Sequence, residues 1–271
     1  MPRIDPTARI ADGARLADDV EVGPYCIVGP QAELRAGVQL ISHVNVAGAT
    51  VIGERTRIYP FASIGTPPQS VHYRDEPTQL VVGSDCQIRE GVTLNIGTKN
   101  GGGITSIGDR CFLMVNSHVG HDCQVGNDVT FANGVVLGGH VTIGDHVFLG
   151  GQAAVHQFRR IGEGAMVGGL TGITKDLIPF GFAFGPRAEL VGLNTIGLKR
   201  RGHSREVLHR IRSAYQMLFL GDGNFRDRVK AAESEFGGDP VVAKILAFIR
   251  EPGPLMMAPQ GGGQSGDDTE P

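Results

Sequence analysis

The sequence predicts an all-β solenoid, a parallel β-helix of hexapeptide repeats, followed by a small C-terminal α-helical domain. Three observations carry this reading. Aliphatic residues recur at every sixth position, from Ile4, Ile10, Leu16 and Val22 to Ile64, and again from Ile107, Leu113, Val119 and Val125 to Ile173. Such a sustained six-residue period marks a parallel β-helix; neither a helical 3.6 period nor plain alternation produces it. Glycine, 41 of 271 residues, often follows the aliphatic, as at Gly23, Gly53, Gly126 and Gly144, where turns need it. After Ser204 the period changes to a helical one.

The β-helix occupies residues 1–190. Three hexads make one coil, so equivalent positions stack at intervals of eighteen, and each coil rises by about one strand spacing, ~4.8 Å. Each coil is held by contacts to its neighbours. The fifth place of a hexad takes a small or β-branched residue, as Ala8, Val20 and Val129 do. Cys26, Cys86, Cys111 and Cys123 all fall at that place and read as small buried core residues. No Cys-x-x-Cys pair suggests a zinc site.

The period breaks twice, at loops 66–81 and 99–106. Pro67, Pro68 and Pro77 preclude a regular strand in the first. The second contains Gly101, Gly102 and Gly103. Loops ejected from a rigid wall commonly carry binding groups; tolerated insertion is the other reading. Pro179 ends the hexads, and Phe180 to Leu198 reads as an irregular connector.

The helical domain spans residues 191–251. Val207, Leu208, Ile211, Tyr215 and Leu218 lie on one helical face, with Ser204 as N-cap. Phe225, Val229, Ala232 and Phe236 mark a second helix. Asp239-Pro240 opens a third, with Val242, Ile245, Leu246 and Ile249 as its apolar face. Residues 252–271, rich in Gly, Pro and acidic side chains, read as a disordered tail.

Composition excludes several functions. The net charge of −3 leaves no nucleic-acid footprint. No apolar run reaches the length of a membrane span, so no stable membrane insertion is expected. The N-terminus lacks a basic-then-apolar secretory signal, which points to the cytoplasm.

The chemistry concentrates between Leu113 and Gln124. His118 and His121 avoid the aliphatic first place and the small fifth place of their hexads. Asp122 follows His121 and stacks below His140, eighteen residues on; Gly139 lies one coil above His121. A histidine with a carboxylate nearby can act as a general base. His156 and Gln157 add polar groups one coil further. Solvent-exposed histidines scattered on a solenoid are the alternative. Lys199, Arg200, Arg201, Arg205, Arg210 and Arg212 make a basic cluster, either a solvated helix face or a site for phosphate or an acidic protein.

These hexads, with His-Val-Gly-His-Asp-Cys at 118–123, Gly-Gly-His at 138–140, Val-His-Gln-Phe at 155–158 and Gly-Leu-Lys-Arg-Arg-Gly at 197–202, resemble the UDP-N-acetylglucosamine acyltransferases. The resemblance covers roughly residues 1–250. It implies a left-handed helix, an exception to the usual right-handed crossover, and a homotrimer with sites between subunits. It implies transfer of a 3-hydroxyacyl group from acyl carrier protein to the 3-hydroxyl of UDP-N-acetylglucosamine, the first step of lipid A synthesis, with no metal or organic cofactor. In the roles it implies, His121 is the general base, Asp122 its orienting partner and the Gly139 N–H the oxyanion donor. His118, His140, His156 and Gln157 line the substrate cleft, Asn194, Arg200 and Arg201 hold the nucleotide, and Gly169 leaves the acyl groove open.

The sequence departs from the family pattern in three places. His72 stands for a lysine, Asn95-Ile96 for His-Arg, and Ile196 for an acidic residue. The first two remove positive charge and suggest an alternative acceptor, the 3-amino analogue of the sugar nucleotide. A third reading is a γ-class carbonic-anhydrase-like hydratase with zinc held between subunits by His118, His121 and His140.

Overall fold

The computed structural model describes residues 1–258. From Arg3 to Ile173 the chain lays short strands in rotation onto three parallel sheets, which begin at Arg3–Ile4, Arg9–Ile10 and Arg15–Leu16. The sheets hold eleven, nine and eight strands. Pairing follows the hexad count: Ile4 faces Val22, Ile10 faces Val28 and Leu16 faces Leu34. Most strands are only two residues long because one side chain points in and its neighbour out before the next turn. The inward residue is the hexad aliphatic, and Ile58, Leu94, Val119 and Leu137 are fully buried. All four cysteines are free and buried in this stack.

Two insertions interrupt the count. The separation of paired residues rises from eighteen to thirty at Arg57↔Gln87 and to twenty-five at Gln87↔Phe112. The loops themselves run over 67–78 and 96–103, not 66–81 and 99–106. Ala49–Ile52, Gln79–Val82 and Ile104–Ile107 pair along four residues each. That longer ladder draws residues 79–81 and 104–106 into the third sheet. Both loops leave the same corner, between the second and third sheets.

The connector expected over 180–198 is ordered. Gly181–Phe184 extends the first sheet beside Met166–Val167 and forms an antiparallel hairpin with Glu189–Leu193. This strand covers what would be an open sheet edge. Helix α1 (Thr195–Arg200) follows directly. Helices α2 (Arg205–Tyr215), α3 (Phe225–Phe236) and α4 (Pro240–Arg250) start at the caps Ser204, Asn224 and Asp239, whose side chains accept backbone N–H bonds. Helix α2 runs on through a π-helical turn, Gln216–Leu220, which buries Leu218 and Phe219.

Residues 252–258, expected to belong to a disordered tail, pack against the β-helix. Leu255 bridges to Asp176, the Met256 N–H donates to the Asp176 carbonyl, and Met256 is buried. Arg160 pins this segment by pairing with both Asp176 (2.9 Å) and Glu251. The rest of the expected tail, 259–271, lies outside the described residues. Among the described residues no helix is long and apolar enough to cross a membrane.

Candidate active site

The corner between the second and third sheets gathers the chemistry. His121 and Asp122 occupy the turn after strand His118–Val119. Gly139 and His140 occupy the equivalent turn one coil on, and Gln157 and Phe158 the next. Asp122, His140 and Phe158 share the same left-handed turn conformation, with φ of 61°, 60° and 62°. The turns therefore stack, and the His140 N–H donates to the His121 carbonyl at 2.9 Å.

Within this stack the His121 Nδ1 lies 2.7 Å from the Asp122 Oδ2. The Asp122 side chain is wholly buried, whereas the His121 side chain is 21% exposed. A carboxylate acceptor at Nδ1 places the imidazole proton there and leaves the Nε2 lone pair free, which is the tautomer a base needs. The second insertion supplies the rest of the carboxylate's bonds. The Thr98 N–H donates to Oδ1 (2.8 Å) and the Thr98 hydroxyl to Oδ2 (2.6 Å). The Asp122 N–H is held by the Thr105 hydroxyl at 2.8 Å. A buried carboxylate is tolerated only when bonded in this way.

Gly139 packs against His121. A Cβ built on it would stand 2.6 Å from His121 Cε1 and 2.8 Å from Nε2, so a side chain there must displace the ring or the backbone. Its N–H donates to no group among the described residues. His140 meets His121 edge-on, its ring stacks on Phe158 at 4.4 Å, and its Nε2 lies 3.7 Å from Asp122 Oδ2. Burial lowers the His140 pKa, Asp122 opposing and His121 assisting that shift. His118 is lowered too, by burial and then by the His121 charge; its Nδ1 lies 2.8 Å from the Thr93 hydroxyl.

Outward-facing residues of the second sheet form a track away from this corner. Thr93, His118, Val136, Ala154 and Gly172 follow one another coil by coil. Its polar start gives way to small apolar groups. There an open groove of about 460 Å³ is lined by Val136, Ala154, Gly172, His156 and Gln157. His156 and Gln157 are exposed on its rim.

Other expected site residues stand apart. Gly169 is exposed in the corner between the first and second sheets. Asn194 is buried and engaged by the fold: it caps α1 through the Gly197 N–H and donates to the Gly164 carbonyl at 3.0 Å. Arg201 lies against Gly164, at the corner between the third and first sheets, with its guanidinium 5.8 Å over the Phe180 ring. Its Nη2 is buried without a partner among the described residues. Burial lowers its pKa, partly offset by Glu163. Arg200 is exposed on the same helix. His72 is exposed on the first insertion, with its N–H on Ser70 Oγ at 3.3 Å. One chain therefore carries the His121–Asp122 pair and Arg201 on different corners.

The three histidines do not gather within one chain, because the His118 Nδ1 pairs with the Thr93 hydroxyl. The donor atoms that approach one another are those of His121, Asp122 and His140, and both Asp122 oxygens already accept hydrogen bonds. Asn95 ends the strand at the foot of the second insertion, and Ile96 follows it. Both are buried, and Asn95 Nδ2 donates to Thr66 Oγ1 and the Pro67 carbonyl, both at 3.1 Å, anchoring the first insertion.

Sequence reasoning missed Thr98, Thr93, Gly101 and Phe158. Phe158 was findable by adding eighteen to His140. Thr98 and Gly101 were not, since they lie in an insertion that breaks the count.

Comparison with known proteins agrees with this fold. Residues 176–254 match the profile of the family described as UDP-N-acetylglucosamine O-acyltransferase, domain 2, and residues 104–139 match bacterial transferase hexapeptide repeats. The acyl-[acyl-carrier-protein]–UDP-N-acetylglucosamine O-acyltransferase of Azorhizobium caulinodans is 58% identical over 246 residues, 91% of each chain. The solved UDP-N-acetylglucosamine O-acyltransferase of Moraxella catarrhalis is similar with a TM-score of 0.88 at 39% identity, covering 91% of this chain and 96% of that one. The Francisella novicida UDP-N-acetylglucosamine acyltransferase gives 0.92 at 31%, covering 95% of both. The chain belongs to the UDP-N-acetylglucosamine O-acyltransferase family.

Proposed function

We propose that this enzyme transfers an (R)-3-hydroxyacyl group from acyl carrier protein to the 3-hydroxyl of UDP-N-acetylglucosamine, the first step of lipid A synthesis. The observation that carries the reading is the His121–Asp122 pair with Gly139 packed on the reactive nitrogen. His121 Nε2 takes the proton of the sugar hydroxyl as its oxygen attacks the thioester carbonyl. The Gly139 N–H donates to the oxyanion that forms. One such donor is typically worth about 10²- to 10³-fold in rate. When the intermediate collapses, the carbon–sulfur bond breaks and the imidazolium returns its proton to the leaving thiolate. Asp122 holds the ring and stabilises the imidazolium without itself changing protonation.

The track past His118 toward Val136, Ala154 and Gly172 suits a substrate that is polar at one end and apolar at the other. Arg201 suits the diphosphate, since its buried, unpaired Nη2 calls for an anionic partner. The arginines and the base stand on different corners, which supports a homotrimer of left-handed helices in which a neighbouring copy completes the site. No organic cofactor enters this scheme.

The test is acyl transfer by purified protein with 3-hydroxyacyl carrier protein and two acceptors, the 3-hydroxy and the 3-amino sugar nucleotide. The ratio of kcat/KM measures their discrimination in the transition state. We expect the 3-hydroxy sugar to win by at least about fivefold, one mismatched polar contact being worth about 1 kcal/mol or more. Preference for the 3-amino sugar would assign the alternative acceptor, and no transfer to either would refute the reading.

A further inference from the structure

The second insertion places a threonine on the buried carboxylate, and nothing in the hexad pattern requires it there. Thr98 gives Asp122 both of its protons, the N–H to Oδ1 at 2.8 Å and the hydroxyl to Oδ2 at 2.6 Å. Its own carbonyl is also engaged, accepting from the N–H groups of Gly101 (3.1 Å) and Gly103 (2.9 Å). Thr98 therefore has one available role for its hydroxyl, and that role is at the carboxylate.

The loop is built to hold this contact. The Thr78 hydroxyl donates to the Gly97 carbonyl at 2.6 Å, which ties the second insertion to the end of the first. The Gly97 N–H donates to the Gln79 carbonyl at 3.2 Å and the Gln79 N–H to the Gly103 carbonyl at 2.9 Å. Gly101 lies flat on the carboxylate, for a Cβ there would stand 2.1 Å from Asp122 Cγ. Gly102 and Gly103 have φ of 97° and 82°, a conformation that favours glycine. The triple glycine thus lets backbone cover Asp122 on one side while the chain reverses to rejoin the sheet.

We propose that Thr98 is a positioning residue for acyl transfer. It fixes the Asp122 carboxylate in the plane and rotamer that receive the His121 Nδ1–H, and so sets the tautomer of the base. This inference rests on His121 acting as the base. Oδ2 lies within reach of two donors, the Thr98 hydroxyl and His121 Nδ1. Without the hydroxyl, Oδ2 is left with His121 Nδ1 alone, so the ring and the carboxylate shift together about the single backbone bond at Oδ1. A buried charged acceptor that loses a donor is costly, so the ring that it orients loses its fixed tautomer.

The experiment compares wild type, Thr98→Val, Thr98→Ser and His121→Ala, each in the full chain. Thr98→Val keeps the shape and removes the hydroxyl; Thr98→Ser keeps the hydroxyl. We expect kcat of Thr98→Val to fall about ten- to a hundredfold, the range for a lost hydrogen bond to a buried charge, with KM for the sugar nucleotide little changed. Thr98→Ser should restore most of kcat. The ¹⁵N signals of the His121 ring should report a single Nδ1–H tautomer in wild type and in Thr98→Ser, and a mixture in Thr98→Val. In an Asp122→Asn background the further change Thr98→Val should cost little, because a residue acting through Asp122 has nothing left to position. Wild-type kcat in Thr98→Val overturns the inference, as does equal loss in the Val and Ser variants, which would mark a steric role. Should His121→Ala retain activity, the base assignment falls and this inference with it. If His121→Ala is inactive and Thr98→Val is not, only the role of Thr98 falls.

Discussion

The His121 Nδ1 and the Asp122 Oδ2 are 2.7 Å apart although the two residues are neighbours in the chain. Adjacent side chains seldom meet in a strand, where they point to opposite faces. They meet here because Asp122 takes the left-handed turn conformation, with φ of 61°. The corner of the coil thus creates the pair, and the coils above and below hold it.

Gly139→Ala should impair catalysis more than stability. The added Cβ would stand 2.6 Å from His121 Cε1, so either the ring or the backbone must move. Either movement spoils the alignment of base and oxyanion donor. We expect kcat to fall by about 10²-fold or more, as for loss of an oxyanion donor. Steady-state kinetics and a thermal melt on the same preparation check this; a kcat within a few-fold of wild type would contradict it.

Gly169→Met should shorten the preferred acyl donor. Gly169 is exposed, and the nearest atom to a Cβ built there is the Gly151 carbonyl oxygen at 3.3 Å, so a longer side chain can extend outward without unfolding the corner. It would then occupy space open to a chain lying between coils or between copies. A panel of donors of graded length, compared by kcat/KM, reads the effect. One buried methylene is worth about 0.8 kcal/mol, so loss of two or three from the groove corresponds to roughly ten- to fiftyfold against the longest donors. An unchanged profile would show that Gly169 does not measure length.

Acid should weaken the fold through His118 and His140. Burial depresses both pKa values below the ordinary histidine value. A depressed histidine binds fewer protons when folded than when unfolded, so its neutral state adds stability above about pH 6.5 that is lost as pH falls through the folded value. The melting temperature of wild type should therefore drop below that pH, and His118→Asn with His140→Asn should flatten the drop. Equal acid sensitivity in the double variant would assign the effect to other groups.

Much of this architecture could be read from the chain, for a physical reason. Each coil repeats one packing rule, so the buried aliphatics from Val22 to Ile173 appear as a count of six, and addition of eighteen brings Asp122 under His140. The helix starts were legible because Ser204 and Asp239 cap with side chains whose preference is local. The hairpin of Gly181–Phe184 with Glu189–Leu193 was hidden, since its pairing is set by the sheet edge beside Met166–Val167 and not by its own pattern. Thr98 was hidden likewise: its partner, Asp122, lies twenty-four residues away across an insertion of no fixed length. The contacts of Asn95 were hidden too, because they reach across the first insertion to Thr66 and Pro67.

The central claim is that His121 is the base, and a rapid-quench measurement of acyl transfer tests it most directly. Limiting 3-hydroxyacyl carrier protein and saturating UDP-N-acetylglucosamine are mixed with excess wild-type or His121→Ala enzyme, and the single turnover is followed. His121 lies off the aliphatic core with a partly exposed ring, so the variant should fold as wild type does. The account predicts that its first turnover slows by about 10²- to 10⁴-fold, the usual cost of a lost general base, with sugar-nucleotide binding retained. A first turnover within a few-fold of wild type would contradict it.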